Sequence, residues 1–544
     1  MVKSSICALT LLIVLSTPVI SKIYVAPNGS DSNPGTMDKP LESLQKAQGL
    51  ASPGDTVYVR GGTYKVRQDQ ISKVVSSLFA CITYLDKSGT EGHTIKYWAY
   101  PGERPIFDFS AVKPANQRVV VIYVVGSYLH IKGLEMTGIQ TTITAHTESY
   151  CIYSTGSHNI YELLNMHENV GTGLRHYTGG YNLFLNCDSY RNWDNVSENQ
   201  LGGNNDGFGC HPNASGAGNV FRGCRSWFNS DDGYDIIRSG AAVVFDSCWS
   251  LYNGYSTSFQ SLGDGNGFKA GGYAYDPASK IPNPVPRNTI EFCIAVGNKA
   301  IGFDPNHHLN GNYWYNNTAY KNHINYNMWN RESPQADSAI YYYGYNHVLI
   351  NNLGYKARSS DTAYIDTSKC ILSHNSFNSG FNLTDKDFVS LDESQLTAAR
   401  KSDGSLPDID FMKPAAGSKL IDAGVDIGFP FAGKAPDIGA LETGYPTFVE
   451  SLKNTVPDNI VLHQNYPNPF NPQTTITYLL NRNGHVVLAV FDMTGRKIET
   501  LVNRYQKSGD HRMVLDASTL ASGTYMIRLE VDGFTQSRKV TLLK

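Results

Sequence analysis

A repeated pattern between residues 182 and 322 constrains the fold of this chain more than any other feature. The segments NLFLNCDSYRN, NVFRGCRSWFN, VVFDSCWSLYN, TIEFCIAVGN and YWYNNTAYKN align in register, with successive separations of 37, 24, 45 and 24 residues. Two columns result: Cys187, Cys224, Cys248, Cys293 and Asn317, and, five residues later, Asn192, Asn229, Asn253, Asn298 and Asn322. A strand-rich unit of about 24 residues, lengthened by insertions in some copies, is typical of a solenoid.

The repeat predicts an all-β fold in which a parallel β-helix forms most of the chain. Equivalent residues of successive coils then stack about 4.8 Å apart. Stacked asparagines can hydrogen-bond one another's amides and satisfy the backbone of a tight turn. For the cysteine column we favour a row of small buried thiols over disulfides or a metal site.

A second column indicates which side chains point outward. In five coils a glycine precedes a large apolar residue, whose side chain should point inward, so the next residue should point outward. The outward column reads Arg175, Gly209, Asp235, Lys269 and Asp304. Lys269 should therefore lie one rung from Asp235, with Asp206 and Asp232 close by.

Composition and the N-terminus both indicate an exported protein. The 45 basic and 48 acidic residues nearly cancel, which argues against a nucleic-acid partner bound through bulk charge. Residues 1–21 combine a short basic start, an apolar run and a small-residue end, which is typical of a signal peptide; a membrane anchor is the weaker alternative. No other stretch is apolar enough to span a membrane, so we expect no membrane span in the mature chain.

Four carboxylates should converge beside Lys269, on Asp206, Asp231, Asp232 and Asp235. Insertions concentrate around the same coils, which is how a solenoid usually builds a cleft. Carboxylates so close together cannot all stay ionised without a cation. Ligands that are all oxygen and come from flexible loops suit Ca²⁺ better than Zn²⁺ or Mg²⁺. Separate solvated turn aspartates are the alternative.

Lys269 can act as a base if its charged form is disfavoured. A nearby divalent cation would disfavour the ammonium, whereas the aspartates would favour it, and the sequence leaves that balance open. A neutral amine could remove the acidified α-proton of a cation-bound carboxylate sugar, which is what β-elimination of a uronic-acid polymer requires. A surface ion pair with Asp235 is the structural alternative.

These motifs resemble polysaccharide lyase family 9. The stretches NNDGFGCHP, NSDDGYDI, GDGNGFKAGG and FDPNHHLNGNYWYNN look like the core of these pectate-lyase-like enzymes, and IYVAPNGSDSNPGT resembles their N-terminal region. The resemblance covers about residues 23–441 and implies a right-handed parallel β-helix, an acidic plant cell-wall polysaccharide as substrate, calcium ligands at the four aspartates and a Brønsted base at Lys269. The family includes pectate lyases and rhamnogalacturonan lyases; we take pectate as the leading substrate.

Three further residues are candidates for substrate contacts. Arg175 belongs to the outward column and Arg238 follows Asp235 by three residues, so either could bind a substrate carboxylate, or equally an aspartate of the protein. His308 follows Asp304 closely, although paired histidines in an Asn-rich turn are more often structural.

The two ends of the chain have their own patterns. Residues 40–50 show helical spacing and should cap the open start of the β-helix. Residues from about 406 to 441 should close its other end, which places the catalytic domain at 22–442 and a linker at 443–458.

Residues 459–544 predict a small β-sandwich of about seven strands, separate from the solenoid. The stretches NYPNPFNP, VFDMTGRKIETL and SGTYMIRL resemble the C-terminal sorting domain of type IX secretion cargo. This resemblance implies a partner in the outer-membrane secretion machinery and a secreted or surface-attached location. We expect the protein to be a monomer.

Two other functions compete with a lyase. A β-helix glycoside hydrolase would need paired carboxylates without calcium, and Lys269 in the outward column argues against it. A surface adhesin without catalytic activity would give Lys269 no role.

Overall fold

Three parallel sheets wind around one core in the computed structural model of the chain. The structure describes residues 21–145, 148–197, 199–273, 276–333, 341–427, 429–444, 460–480, 484–493, 495–506, 509–531 and 534–544. Nearly all of the predicted signal peptide and most of the predicted linker lie outside these residues. Most coils of the solenoid contribute one strand to each sheet, and neighbouring coils pair in parallel; Lys73–Val75 instead pairs antiparallel with Phe79–Leu85. The predicted right-handed parallel β-helix is confirmed.

Each sheet runs the length of the solenoid. Sheet 1 contains Lys22–Val25, Thr56–Val59, Ile95–Ala99, Leu129–Lys132, Ile160–Glu162, Leu183–Leu185, Asn219–Arg222, Val243–Asp246, Thr289–Glu291, Tyr313–Tyr315, Val348–Ile350 and Ile371–Ser373. Sheet 2 contains Gly62–Lys65, Pro105–Asp108, Glu135–Thr137, Asn165–His167, Asp188–Tyr190, Arg225–Trp227, Trp249–Leu251, Ile294–Val296, Thr318–Tyr320 and Leu353–Tyr355. Sheet 3 contains Lys73–Val75, Phe79–Leu85, Arg118–Val124, Tyr150–Ser154, Thr172–Thr178, Phe208–Pro212, Tyr234–Asp235, Phe268–Lys269, Ile301–Asp304, Ile324–Asn327 and Ser360–Ala363.

The register of the strands matches the sequence repeat. Ser189, Ser226 and Ser250 pair directly across sheet 2, and Ala295 and Ala319 continue the column. The asparagines that follow are fully buried, and each side-chain amide donates to the amide oxygen of the next coil at 2.9–3.1 Å. An amide carries both donor and acceptor, so one residue type can repeat along the ladder with every group satisfied.

The inward column of sheet 3 is an aromatic stack. Phe208, Tyr234, Phe268 and Phe303 are buried, with neighbouring ring centroids 4.7–5.2 Å apart. The glycine before each ring is needed because the coils approach closely there. A Cβ on Gly233 would lie 2.3 Å from Ser250 Oγ and 2.7 Å from the carbonyl oxygen of Gly267.

The column cysteines are buried thiols. All eight described cysteines are free, and Cys187, Cys224, Cys248 and Cys293 are fully buried in the core. The interpretation as small core residues is therefore confirmed over disulfides.

A short helix covers the start of the solenoid, as expected. It spans Leu44–Leu50 and buries Leu44 and Ala47. The Ser43 side chain caps it by accepting from the backbone N–H of Lys46 at 3.1 Å.

The segment after the last rung differs from expectation, because it runs back along the side of sheet 2. Arg225 donates to the carbonyl oxygen of Ala398 at 2.7 Å, and Arg400 donates to Asp188 at 2.6 Å. Buried side chains such as Phe411 and Leu420 pack against Trp249 and Tyr320 in one cluster. The prediction that this segment closes the far end was wrong, because sheet 2 carries an apolar outer face that needs covering. The remaining helices are short 3-10 turns at Gln68–Gln70, Ala278–Lys280, Asp385–Asp387 and Glu393–Thr397.

The C-terminal region forms two antiparallel sheets around a separate core, which confirms the predicted sandwich. The strands are Val461–Leu462, Gln473–Leu480 and Gly509–Asp516 in one sheet, and Lys497–Gln506, Gly484–Phe491, Gly523–Val531 and Phe534–Leu542 in the other. Alternate residues such as Ile476, Tyr478 and Leu480 are buried between them. Among the described residues, no helix is long and apolar enough to cross a membrane.

Candidate active site

The outward column of sheet 3 has the predicted register. Arg175 pairs with Gly209, Gly209 with Asp235, and Asp235 with Lys269. Asp304 follows on the next rung. Residues from five consecutive coils therefore form one line along the solenoid axis.

Three aspartates form a buried acidic cluster beside this line. One carboxylate oxygen each from Asp206, Asp232 and Asp235 lies within 4.8 Å of the others. The backbone holds the carboxylates in place: the Asn266 N–H donates to Asp232 Oδ1 at 2.7 Å, and the Ile237 N–H donates to Asp235 Oδ1 at 2.6 Å. Asp232 Oδ2 is buried and faces the Lys269 ammonium at 3.1 Å. This oxygen-only donor set fits a hard divalent cation.

Asp231 stands at the edge of the cluster rather than inside the three-carboxylate group. Its Oδ1 accepts the backbone N–H of Asp264 at 2.6 Å, which fixes the insertion that precedes Lys269. Burial and the charge of Asp232 raise the pKa of Asp231 well above its usual value. Asp231 is therefore a buried acid beside the three-carboxylate group, and its ionisation depends on a nearby positive charge.

Burial has the largest effect on the pKa values of the cluster, and repulsion between the carboxylates adds to it. Burial and the charges of Asp235, Asp231 and Asp232 raise the pKa of Asp206 well above its usual value. The pKa of Asp232 rises to about 6, mainly through burial, although Lys269 opposes this rise. The pKa of Asp235 is lowered instead, because the charge of Lys269 and the hydrogen bond from the Ile237 backbone help to outweigh the effect of its burial. One lysine does not balance this many buried carboxylates, and the excess negative charge favours a cation.

Lys269 reaches directly into the cluster. Its Nζ lies 3.1 Å from Asp232 Oδ2 and 3.2 Å from Asp235 Oδ2. Burial alone would lower the pKa of Lys269, but the charges of Asp232 and Asp235 raise it well above its usual value. The sequence left open whether Lys269 is an ammonium or a neutral amine. When the aspartates carry their full charge, the ammonium is favoured.

The turn after Lys269 explains the glycines around it and the position of His308. Gly271 and Gly272 adopt positive φ angles of 107° and 85°, and a Cβ on Gly272 would overlap the carbonyl oxygen of Asn306. The His308 Nδ1 accepts the Gly272 N–H at 3.1 Å, and its Nε2 contacts the carbonyl oxygen of Pro286 at 2.5 Å. His308 is fully buried. Direct substrate contact, as predicted for His308, is inconsistent with this burial; His308 instead holds the turn behind Lys269.

The two candidate arginines are paired to acids of the protein. Arg175 donates to Glu148 at 2.6 Å, and only 12% of its side chain is exposed. Arg238 is paired with Asp276, and its side chain is 60% exposed. Arg175 lies in the outward column, so it borders the cluster, whereas Arg238 lies on the loop after Asp235 at the rim.

Two further groups border the cluster, and neither was assigned a role from the sequence. His211 lies two residues after Gly209 on the same face; its Nδ1 donates to the Ile237 carbonyl oxygen at 2.7 Å, and its buried Nε2 has no partner. Burial and Arg175 lower its pKa to about 3, so it is neutral. Asp304 accepts the Trp329 indole N–H at 2.6 Å, and burial raises its pKa to about 7. Because side chains alternate along a strand, the sequence could have placed His211, two residues after Gly209, on the same outward face.

Residues 23–352 match the sequence model of the Pel9A-like right-handed β-helix region. The chain belongs to this family. Pectate lyase L of Dickeya chrysanthemi is 36% identical over 428 residues, covering 77% of this chain and 90% of that protein. A match of this length across most of both proteins makes the chain a polysaccharide lyase, and the glycoside hydrolase and adhesin hypotheses are set aside.

Two solved structures share the fold. A rhamnogalacturonan lyase superposes with a TM-score of 0.69 and 42% identity, over 72% of this chain and 96% of its own. Pectate lyase Pel9A superposes with a TM-score of 0.61 and 34% identity, over 78% of this chain and 97% of its own. Both likenesses extend over the solenoid that carries the acidic cluster.

The C-terminal region matches a second family model. Residues 464–542 match the secretion system C-terminal sorting domain, which confirms the sorting domain expected from the sequence. The protein is therefore secreted or displayed at the cell surface.

Proposed function

We propose that this protein is a calcium-dependent lyase that cleaves a pectic polyuronate by β-elimination, with Lys269 as the base. The observation that carries this proposal is the position of the Lys269 amine. It stands in the outward column within 3.2 Å of two carboxylates of the buried cluster. A lysine there lies beside the groups best suited to hold a cation.

The cation would be held by Asp206, Asp232 and Asp235, with Asp231 beside them. Calcium suits this set because it prefers several oxygen ligands and tolerates irregular geometry. Bound there, calcium would bind a substrate carboxylate and make the proton on the adjacent carbon more acidic.

The protonation state of Lys269 depends on the charge of the same carboxylates. When their charge is unbalanced, Asp232 and Asp235 hold the lysine as an ammonium. When their charge is balanced, burial becomes the main influence, and burial lowers the pKa of an amine. A cation bound by the cluster would thus both hold the substrate carboxylate and let burial lower the pKa of Lys269, so that the neutral amine acts as a base.

The reaction then needs one proton transfer by Lys269. Its Nζ removes the proton from C5 of a uronic-acid unit, and the C–H electron pair becomes a C4–C5 double bond. The C4–O bond breaks, and the departing glycosidic oxygen takes up a proton from solvent. General-base catalysis of this kind contributes about 10²–10⁴-fold to a rate.

Pectate and rhamnogalacturonan are the two candidate substrates. The pectate lyases among the relatives, at 36% identity over 428 residues, support pectate. The 42% identity and TM-score of 0.69 with a rhamnogalacturonan lyase support the second polymer. Both offer a uronic acid to the same base, so the reacting groups of the site serve either one.

One assay tests the proposal. The purified protein is incubated with each polymer, with and without a chelator, while the ultraviolet absorbance of the unsaturated product is followed. We expect absorbance to rise on at least one polymer, to stop on chelation and to return with added Ca²⁺. Product formation that is indifferent to chelation would reject the calcium requirement, and no product from either polymer would reject the proposed substrates.

The sorting domain has its own proposed partner. We propose that residues 464–542 engage the outer-membrane secretion machinery, since the family model that they match is a secretion sorting domain. That the catalytic unit is a monomer stays a prediction.

A further inference from the structure

A row of tyrosines extends from the active site toward the N-terminal end of sheet 3. Tyr84 pairs with Tyr123, Tyr123 with Tyr153, and Tyr153 with Arg175, so the row belongs to the same outward column as Lys269. Tyr177 lies two residues after Arg175 on the same face. All four tyrosines are half-buried, so part of each ring stays accessible.

The rings form one continuous stack. Centroids are 5.3 Å apart between Tyr84 and Tyr123, 4.8 Å between Tyr123 and Tyr153, and 5.4 Å between Tyr153 and Tyr177. The ring of His211 continues the stack at 5.1 Å from Tyr177. The stack therefore ends at a residue that borders the acidic cluster.

The row lies on the same outer face of sheet 3 as Lys269, and that face follows the solenoid axis. Beside Tyr123, Tyr153 and Tyr177 the connections that follow the strands of sheet 3 are short, at 125–128, 155–159 and 179–182. These short connections leave a linear path along the outward column on that side. A polysaccharide bound at Lys269 would lie in that path.

Distances along the path suit a chain of sugars. Rungs are about 4.8 Å apart, so Tyr153, Tyr123 and Tyr84, at four, five and six rungs from Lys269, lie about 19, 24 and 29 Å away. One rung is comparable in length to one sugar unit. The row can thus meet successive units four to six positions from the cleaved bond.

A positive charge at the far end of the row suits an acidic glycan. The Lys73 ammonium lies 3.6 Å from the centroid of the Tyr84 ring. At the near end, Arg175 lies 5.5 Å from the Tyr177 centroid and is already paired with Glu148. Tyrosine offers both an apolar surface for sugar C–H groups and a hydroxyl for sugar oxygens.

We propose that Tyr84, Tyr123, Tyr153 and Tyr177 form a binding track for the unreacted units of an acidic polysaccharide. The track rests on the proposed function, because it assumes that the glycan reacts at Lys269. It adds that long chains are held by contacts far from the reacting unit, whereas short oligomers are not.

The test compares long and short oligomers of whichever polymer the wild-type protein cleaves. Tyr123→Ala should raise KM for oligomers of eight or more units by about 5- to 10-fold and leave KM for trimers unchanged. Tyr123→Phe keeps the ring in the stack and should raise KM for long oligomers less. Tyr58→Ala is the matched control, since Tyr58 sits in another half-buried tyrosine stack, with Tyr24 and Tyr100, on sheet 1.

Three results would overturn the track. One is a Tyr123→Ala protein whose ratio of long-chain to short-chain KM equals that of wild type. Another is an equal rise of KM for trimers, which would indicate an indirect structural effect. The third is the same change in Tyr58→Ala. If Tyr123→Ala does not fold, Tyr123→Phe with an unchanged ratio overturns it.

Failure of the proposed function is distinguishable from failure of the track. A wild-type protein that makes no unsaturated product rejects the function. In that case calorimetric binding of the same oligomers still tests the track, which predicts tighter binding of long than of short chains and loss of that difference in Tyr123→Ala.

Discussion

The solenoid contains two stacked columns of polar residues: the neutral asparagine ladder and the charged outward column of sheet 3. The asparagine ladder repeats one residue over five coils, with every side chain buried and every amide bonded to the next. The outward column of sheet 3 instead changes from Arg175 through Gly209, Asp235 and Lys269 to Asp304. Amides can stack on themselves because each donates and accepts, whereas carboxylates stacked about 4.8 Å apart repel one another.

The difference shows where a regular solenoid can carry function. A ladder whose amides hydrogen-bond to one another contributes stability, and its donors and acceptors are not available to a ligand. The charged column contributes to a buried cluster of carboxylates that one lysine does not balance, so we expect it to bind a cation. Four predictions test this contrast, beginning with the largest effect.

Removing the amine from the charged column should abolish catalysis. Lys269→Ala should lower kcat by about 10²–10⁴-fold, because the C5 proton loses its base. Initial rates on the polymer that wild type cleaves provide the measurement. Lys132→Ala is a suitable control, since Lys132 forms an ion pair with Glu162 far from the site on sheet 1. A Lys269→Ala protein with wild-type kcat would remove this residue as the base.

Raising the pH should destabilise the calcium-free protein. Burial raises the pKa of Asp232 to about 6 and that of Asp304 to about 7, above the value of about 4 for an unfolded aspartate. The folded state then holds these protons more tightly, so their contribution to stability is greatest below pH 4 and is lost as the pH rises to about 7. Thermal unfolding in a chelator at pH 5 and pH 8 measures the loss.

Bound Ca²⁺ and the substitution Asp304→Asn should each reduce the loss of stability at high pH. Saturating Ca²⁺ stabilises the folded state at pH 8, because it binds the folded protein in preference to the unfolded chain. Asp304→Asn should flatten part of the pH dependence in the chelator. A chelated protein that is as stable at pH 8 as at pH 5 would contradict the unbalanced charge of this column.

Interrupting the neutral ladder should affect stability and leave the chemistry unchanged. Asn253→Ala removes the amide that links Asn229 to Asn298 and leaves the buried backbone N–H of Asn229, which donates to Asn253 Oδ1 at 3.1 Å, without that acceptor. Each such group costs about 1–3 kcal/mol of unfolding free energy. Urea denaturation measures this loss, with the exposed Asn28→Ala as the control. A large fall in kcat with unchanged stability would show that the two ladders are not separate in function.

The smallest effect should come from reducing agents. The described cysteines are free, and those of the repeat column are fully buried thiols. The melting temperature should therefore be the same with and without a reductant. A lower melting temperature in the reductant would reveal a disulfide and change the interpretation of the cysteine column.

Much of the site could be predicted from the sequence because a β-helix turns sequence register into spatial adjacency. Once Gly233 and Gly267 are aligned, alternation alone places Asp235 next to Lys269, and the structure has them as direct partners. The same reasoning could not foresee that His308 would be buried with both ring nitrogens engaged, because its contacts are with Gly272 and Pro286, which lie in a loop without a repeat.

The segment from 406 to 441 shows the same limit. Its motifs lie outside the repeat, so nothing in the register fixes where it packs, and the outer face of sheet 2 decided its position. The hydrogen bond from the Ala440 N–H to Thr318 Oγ1, between residues 122 apart in the chain, follows from that packing alone. Partners so far apart in sequence, in a region without periodicity, can be found only in the folded chain.

The sequence by itself determined the coil, its register, and which residues would face outward beside one another. These follow from short-range rules: the alternation of strand side chains, the identity of the ladder residue and the close approach at each glycine. The tertiary structure alone decided the charge balance at Lys269, the pairing of Arg175 with Glu148 and the row of tyrosines leading to the site. These features depend on burial and on distances between loops of unrelated sequence. Burial and distance set the strength of each interaction, but they produce no repeating pattern in the sequence.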